Sequence, residues 1–79
     1  MIHYLKTWPE YFQAVASGLK PFEIRLNDRN YQVGDVLCLM EWDPVIQNYT
    51  LHCSLRREIG YMTDFMQRDG YVVLGFKPS

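Results

Sequence analysis

A mainly β domain with one N-terminal helix (α+β), its five to six short strands curled into a small, partly closed barrel, is what this sequence predicts. Three observations lead there. One stretch alone has helical periodicity, several short alternating runs lie between turn clusters, and 79 residues leave room for a single core. Closure is expected because it removes strand edges that would otherwise pair with other chains.

Ile2, Tyr4 and Lys6 alternate with His3, Leu5 and Thr7, which reads as a first strand. A helix follows over residues 8–17. Thr7 and Glu10 have capping-box spacing, Pro9 suits a first turn where no donor is missed, and Gly18 supplies the left-handed residue that ends the element. Trp8, Tyr11, Phe12, Val15 and Leu19 recur at steps of three and four, so the helix has one apolar face.

Pro21 bars helical continuation from Lys20, and Phe22 to Leu26 read as a strand. Phe22, Ile24 and Leu26 share one face; Glu23 and Arg25 share the other. NDRN and VGD are turn clusters, with Asn27 and Asp28 expected to bond nearby backbone amides. Val36 to Trp42 is apolar on both faces and is expected at the centre of the sheet. DPVIQN makes a loop, and Tyr49 to about Met62 read as one long, bent strand with a bulge at Gly60. Its Leu51, Cys53 and Leu55 face one way, and Thr50, His52, Ser54 and Arg56 the other. Residues 63–69 are a loop or helical turn, and Tyr71 to Phe76 form the last strand.

Eight Lys and Arg against nine Asp and Glu give a net charge of −1, so long-range electrostatics alone will not hold the chain on nucleic acid; only a local patch would. Residues 1–29 balance at +1 and residues 30–79 at −2. Arg56 and Arg57 are expected on opposite strand faces, so at most one of them joins a patch. The opening MIHYLKTWPEYF lacks a basic stretch followed by an apolar one, and no window nears the roughly 18 apolar residues of a membrane span. A soluble cytoplasmic domain with reduced thiols, no membrane contact and no cofactor is expected. His3, His52, Cys38 and Cys53 match no zinc-finger spacing and make a metal site only if the fold converges them. Cys38 and Cys53 read as core, His52 as solvated, and His3 as either a cleft-floor or a buried structural residue.

The segment GLKPFEIRLNDR concentrates the chemistry. Glu23 and Arg25 leave one strand face together, and the Gly18 turn brings Lys20 back to the start of that strand. Arg offers planar donors to phosphate or a base edge, Glu accepts from an exocyclic amine, and Lys adds a compact positive charge. Such a set suits a splayed-out nucleotide. The competing reading is an exposed Glu–Arg pair with Lys20 favourably placed at a helix C-terminus.

Gly18, Lys20, Glu23 and Arg25 spell G-x-K-x-x-E-x-R, the signature of the ASCH domain of the PUA-like superfamily. With HYLKTWPEYFQAV, GLKPFEIRLNDRNYQVGDVL, LMEWD and GYVVLGF, the chain resembles small stand-alone ASCH-like proteins of bacteria and phages across most of residues 3–76. The resemblance implies a PUA-like β-pseudobarrel with a helix before the motif strand. It also implies RNA binding in a cleft below that helix, lined by Lys20, Glu23 and Arg25. Read from the residues alone, Arg29 either stabilises the NDR turn or reaches over the cleft rim as a further binding residue. A few small ASCH proteins instead deacetylate acetylated cytidine nucleosides with a motif lysine, a threonine nucleophile and a glutamate.

The alternative function implied is therefore a small amidohydrolase, with Lys20 and Glu23 as its catalytic candidates. Here Glu23 stands where those relatives have the threonine, so the motif lacks its hydroxyl. Thr7 reads as a cap and Ser17 as a helix-end residue; Glu41 or Glu58 are the candidates for the further carboxylate. A protein-interaction module, in which the motif only braces the fold, is the third expectation. Trp8 and Trp42 read as core or as cleft lining, while Tyr31 and Tyr61 suit stacking at a rim.

Overall fold

The structure, a computed structural model, describes residues 1–50 and 54–78. Six strands and one helix follow in the order β1 (Ile2–Thr7), α1 (Pro9–Ala16), β2 (Phe22–Leu26), β3 (Val36–Asp43), β4 (Asn48–Tyr49), β5 (Leu55–Thr63) and β6 (Tyr71–Phe76). The strands lie in the order β1-β3-β5-β6-β2, with β4 paired to β3 off this path. β1 and β3 run parallel, Ile2 opposite Val36 and Thr7 opposite Glu41, and the α1–β2 segment forms the crossover between them. The remaining pairs are antiparallel.

The sheet is mixed and open. Among the described residues no backbone ladder joins the two end strands, β1 and β2. Side chains bridge them instead: Arg25 of β2 donates to Lys6 O at 3.1 Å, and Arg29 just beyond β2 donates to Tyr4 O at 2.9 Å.

β3 is central, as its two apolar faces require. Leu37 and Leu39 are fully buried with Ile59 of β5 and Leu74 of β6, and Phe12 and Val15 of α1 cover them. Cys38 is buried on the opposite face of β3. Asn27 Oδ1 accepts from Tyr31 N–H at 3.1 Å, which closes the turn after β2. Gly60 sits at the register shift between Ile59 and Tyr61, the bulge expected there.

Two boundaries differ from expectation. The helix starts at Pro9 with Trp8 as N-cap, and no side chain caps it. Thr7 is not a cap: Trp8 precedes a proline, which pushes it into the extended region (ψ 151°), so it cannot be the first helical residue that a Thr7 cap needs. Thr7 stays in β1, its hydroxyl donating to Leu5 O. The single strand expected from Tyr49 to Met62 is instead β4 and β5, with Thr50 and Ser54 in neither. Thr50 turns to Glu41, bonding its main-chain carbonyl and its carboxylate. The facing assigned to Leu51, His52 and Cys53 lies outside the described residues.

Candidate functional site

The turn after α1 places the first of the motif's side chains. Gly18 takes φ 83°, which a residue with a Cβ rarely adopts, and its N–H donates to Val15 O. Lys20 N–H then returns to Ala14 O at 3.0 Å, folding the chain back under the helix. Pro21 O accepts from Phe76 N–H, so β2 begins beside β6.

Strand alternation turns Glu23 and Arg25 inward from there. The polar face of β2 is the sheltered one: Glu23 is 3% exposed, whereas Ile24 and Leu26 on the other face are half exposed. Burying a carboxylate without partners is costly, and Glu23 has a cation on each oxygen. Lys20 Nζ lies 2.6 Å from Oε1, and Arg25 Nε donates to Oε2 at 2.9 Å. Arg25 Nη2 reaches on to Lys6 O and Thr7 Oγ1, both at 3.1 Å. Two cations are thus held in fixed positions by one buried anion and the end of β1.

These groups form the floor of a cleft of about 550 Å³ beneath α1. Trp8 and Tyr11, from the N-cap and first turn of the helix, make its wall with both rings half exposed. Lys6 completes the lining, its ammonium 3.9 Å above the Trp42 ring, which meets Tyr49 edge-on. Lys20 Nζ lies 5.5 Å from the Tyr11 ring and 5.3 Å from that of Phe22. Three cations against one carboxylate, beside two exposed aromatic rings, can take an anion attached to a flat ring.

The motif trio therefore converges on one concavity. Arg29 lies outside its lining, with its guanidinium on Tyr4 O and near Asp28. Glu41 is buried and accepts from Gln13 and Thr50, and Glu58 pairs at the surface with Lys77; neither lines the cleft. Ser17 caps the helix C-terminus.

Other expectations are corrected. Of the two readings for Trp8, core or cleft lining, the structure takes the second, and the helix's buried stripe narrows to Phe12 and Val15. Tyr31 is no rim residue. It is 2% exposed, packs edge-on against His3 at 4.7 Å, and burial pushes its hydroxyl above the usual tyrosine pKa. His3 takes the structural role, with Nε2 2.8 Å from Asp35 Oδ2. That hydrogen bond, aided by Gln32 N–H, holds the Asp35 carboxyl below the usual range against the opposing effect of burial. Arg56 and Arg57 leave opposite faces of β5, paired with Cys38 and Leu37 of β3, yet both line a second groove, so the expectation that at most one joins a patch is corrected. Arg57 donates to Arg56 O at 2.8 Å.

Sequence reasoning missed Lys6, Thr7 and Tyr11 as cleft residues. The Trp8-Pro9 step was the available signal, because an extended residue there leaves Thr7 in the strand and projects Trp8 outward. Among the described residues no group of three or more His, Cys, Asp or Glu is placed to hold a metal ion. No described helix is long and apolar enough to cross a membrane.

The chain belongs to the family described as a domain of unknown function, DUF3850, whose model matches residues 2–76. It is also similar to an uncharacterized 12.9 kDa protein in the GpA 3′ region of Escherichia phage P2, 49% identical over 41 residues. The match covers 52% of this chain and 38% of the phage protein's length.

Proposed function

We propose that this domain binds RNA or a nucleotide in the cleft below α1, as an ASCH-like member of the PUA-like superfamily acting in the cytoplasm. The observation that carries the reading is the clamped carboxylate: Glu23 holds Lys20 and Arg25 at 2.6 and 2.9 Å in an open concavity, at positions set before any ligand arrives. Preorganised cations lose little freedom on binding an anion. Trp8 and Tyr11 add the stacking surface that a base requires, and Lys6 and Lys20 flank it with charge for the attached phosphate.

Binding is preferred over deacetylation on the same geometry. The Thr7 hydroxyl directs its proton to Leu5 O and accepts from Arg25, and the Lys20 ammonium is engaged by Glu23. With the hydroxyl donating to a carbonyl rather than to a base, and the ammonium tied up in an ion pair, neither is presented as a free nucleophile.

The test is fluorescence anisotropy with a labelled pool of fragmented cellular RNA, alongside an acetylcytidine hydrolysis assay. Lys20→Ala is expected to weaken RNA affinity at least about tenfold and to flatten its salt dependence by about one phosphate contact. Turnover of acetylcytidine with no RNA binding would reverse the preference.

A further inference from the structure

The net charge of −1 conceals a strong segregation. A second groove of about 690 Å³ opens at the C-terminal end of α1, and Lys20 lines both it and the first cleft. Arg56, Arg57 and Lys77 line this groove, with Glu58. The two concavities together hold six basic side chains (Lys6, Lys20, Arg25, Arg56, Arg57 and Lys77) against two acidic ones. Both acids are paired, Glu23 with Lys20 and Arg25, and Glu58 with Lys77 at 3.5 Å. The rest of the chain carries two basic residues against seven acidic.

Resting on the binding reading above, we propose that the ligand is a single-stranded RNA segment longer than one nucleotide. One base lies in the first cleft, and the backbone passes Lys20 into the second groove, where Arg56, Arg57 and Lys77 meet the following phosphates. Chemistry divides the two concavities. The first offers Trp8 and Tyr11 half exposed; the second has one aromatic ring in its lining, Phe76, and is otherwise edged by cations, the Lys77-paired Glu58 and small or apolar residues. A stacking site followed by a charged track is the arrangement that single-strand binders use. Elsewhere the exposed carboxylates of Glu10, Asp28, Asp64 and Asp69 outnumber the exposed cations Arg29 and Arg68, which disfavours other routes for the backbone. A mononucleotide would fill the first cleft and leave the second groove's charges unused.

The experiment compares two probes on two proteins. The probes are a fluorescein-labelled random RNA of roughly eight nucleotides, within the range of single-strand site sizes, and the four nucleoside 5′-monophosphates as competitors. The proteins are the unmodified chain and Arg56→Ala/Lys77→Ala, two exposed positions, with circular dichroism and the thermal midpoint used to check that the variant's fold is intact. The expected result is weaker oligonucleotide binding by the variant, with a log–log salt slope smaller by about 1.4 if both side chains meet phosphate, and unchanged competition by monophosphates. Equal oligonucleotide affinity and slope in both proteins, with monophosphates binding normally, would falsify the track while leaving the cleft reading standing. No binding of either probe to the unmodified chain would overturn the cleft reading, and the track with it.

Discussion

Arg25 Nη2 sits 3.1 Å from Thr7 Oγ1, so one side chain of β2 fastens onto β1 where the sheet has no ladder. The same guanidinium bonds Lys6 O and Glu23, and its side chain is 25% exposed. Arg25 is thus a brace as well as part of the proposed binding cleft.

Arg25→Ala is therefore expected to lower unfolding free energy by about 2–3 kcal/mol, since hydrogen bonds to charged groups each contribute about 1.5–3 kcal/mol and Lys20 still partners Glu23. Arg25→Lys should recover only part, because an ammonium lacks the planar fork that reaches three acceptors in different directions. Urea titration measures both. An unchanged midpoint in Arg25→Ala would show that the two strand ends hold together without it.

Much of the architecture was legible in the residues, and the failures share a cause. β2 and β6 were readable because alternation and flanking turns agree with their tertiary setting. Alternation also put Glu23 and Arg25 on one face, and the Gly18 turn accounted for Lys20. Periodicity does not say which face is sheltered, and in β2 the charged face is, because pairing neutralises it. The Thr7 cap failed because the Trp8-Pro9 restriction overrides a spacing rule. The Arg56–Arg57 groove was hidden because long side chains bend along a strand, and alternation fixes only where they start.

Asp35 makes stability pH-dependent in acid. Its carboxyl is held below the usual value chiefly by the hydrogen bond with His3, so the folded state favours the charged form more than the unfolded state does. The stabilisation is fully present above the unfolded pKa, near about 4, and is lost as pH falls from there through the lower folded value. Asp35→Asn should accordingly show a shallower fall in urea midpoint below about pH 4 than the unmodified chain. Parallel curves for the two proteins would remove Asp35 from the acid response.

Gly60 is required by a close approach of backbone. A Cβ there would lie 3.0 Å from Lys77 Cα, and Lys77 N–H is tied to Glu58 O at 2.8 Å, so the neighbour cannot retreat without breaking that bond. Gly60→Ala is expected to lose about 1–3 kcal/mol by overpacking, whereas an alanine at Gly75, opposite Tyr61, meets its nearest atom at 3.5 Å. A thermal midpoint for Gly60→Ala equal to that of the unmodified chain would mean the bulge is softer than its packing implies.

Trp8 separates binding from stability. Its ring is half exposed on the cleft wall, so removing it uncovers little core, while base stacking on such a ring is worth about 1–3 kcal/mol. Trp8→Ala should therefore weaken RNA binding by roughly 5- to 150-fold, that energy expressed as an equilibrium ratio, and shift the urea midpoint little. Trp8→Phe should restore most of the affinity, because the π-face returns without the indole N–H. A direct readout is available: the chain has two tryptophans, and Trp42→Phe leaves Trp8 as the sole indole reporter. RNA should quench that emission in saturable fashion, at the same midpoint as anisotropy. Binding by anisotropy with no change in Trp8 emission would place the ligand somewhere other than this wall.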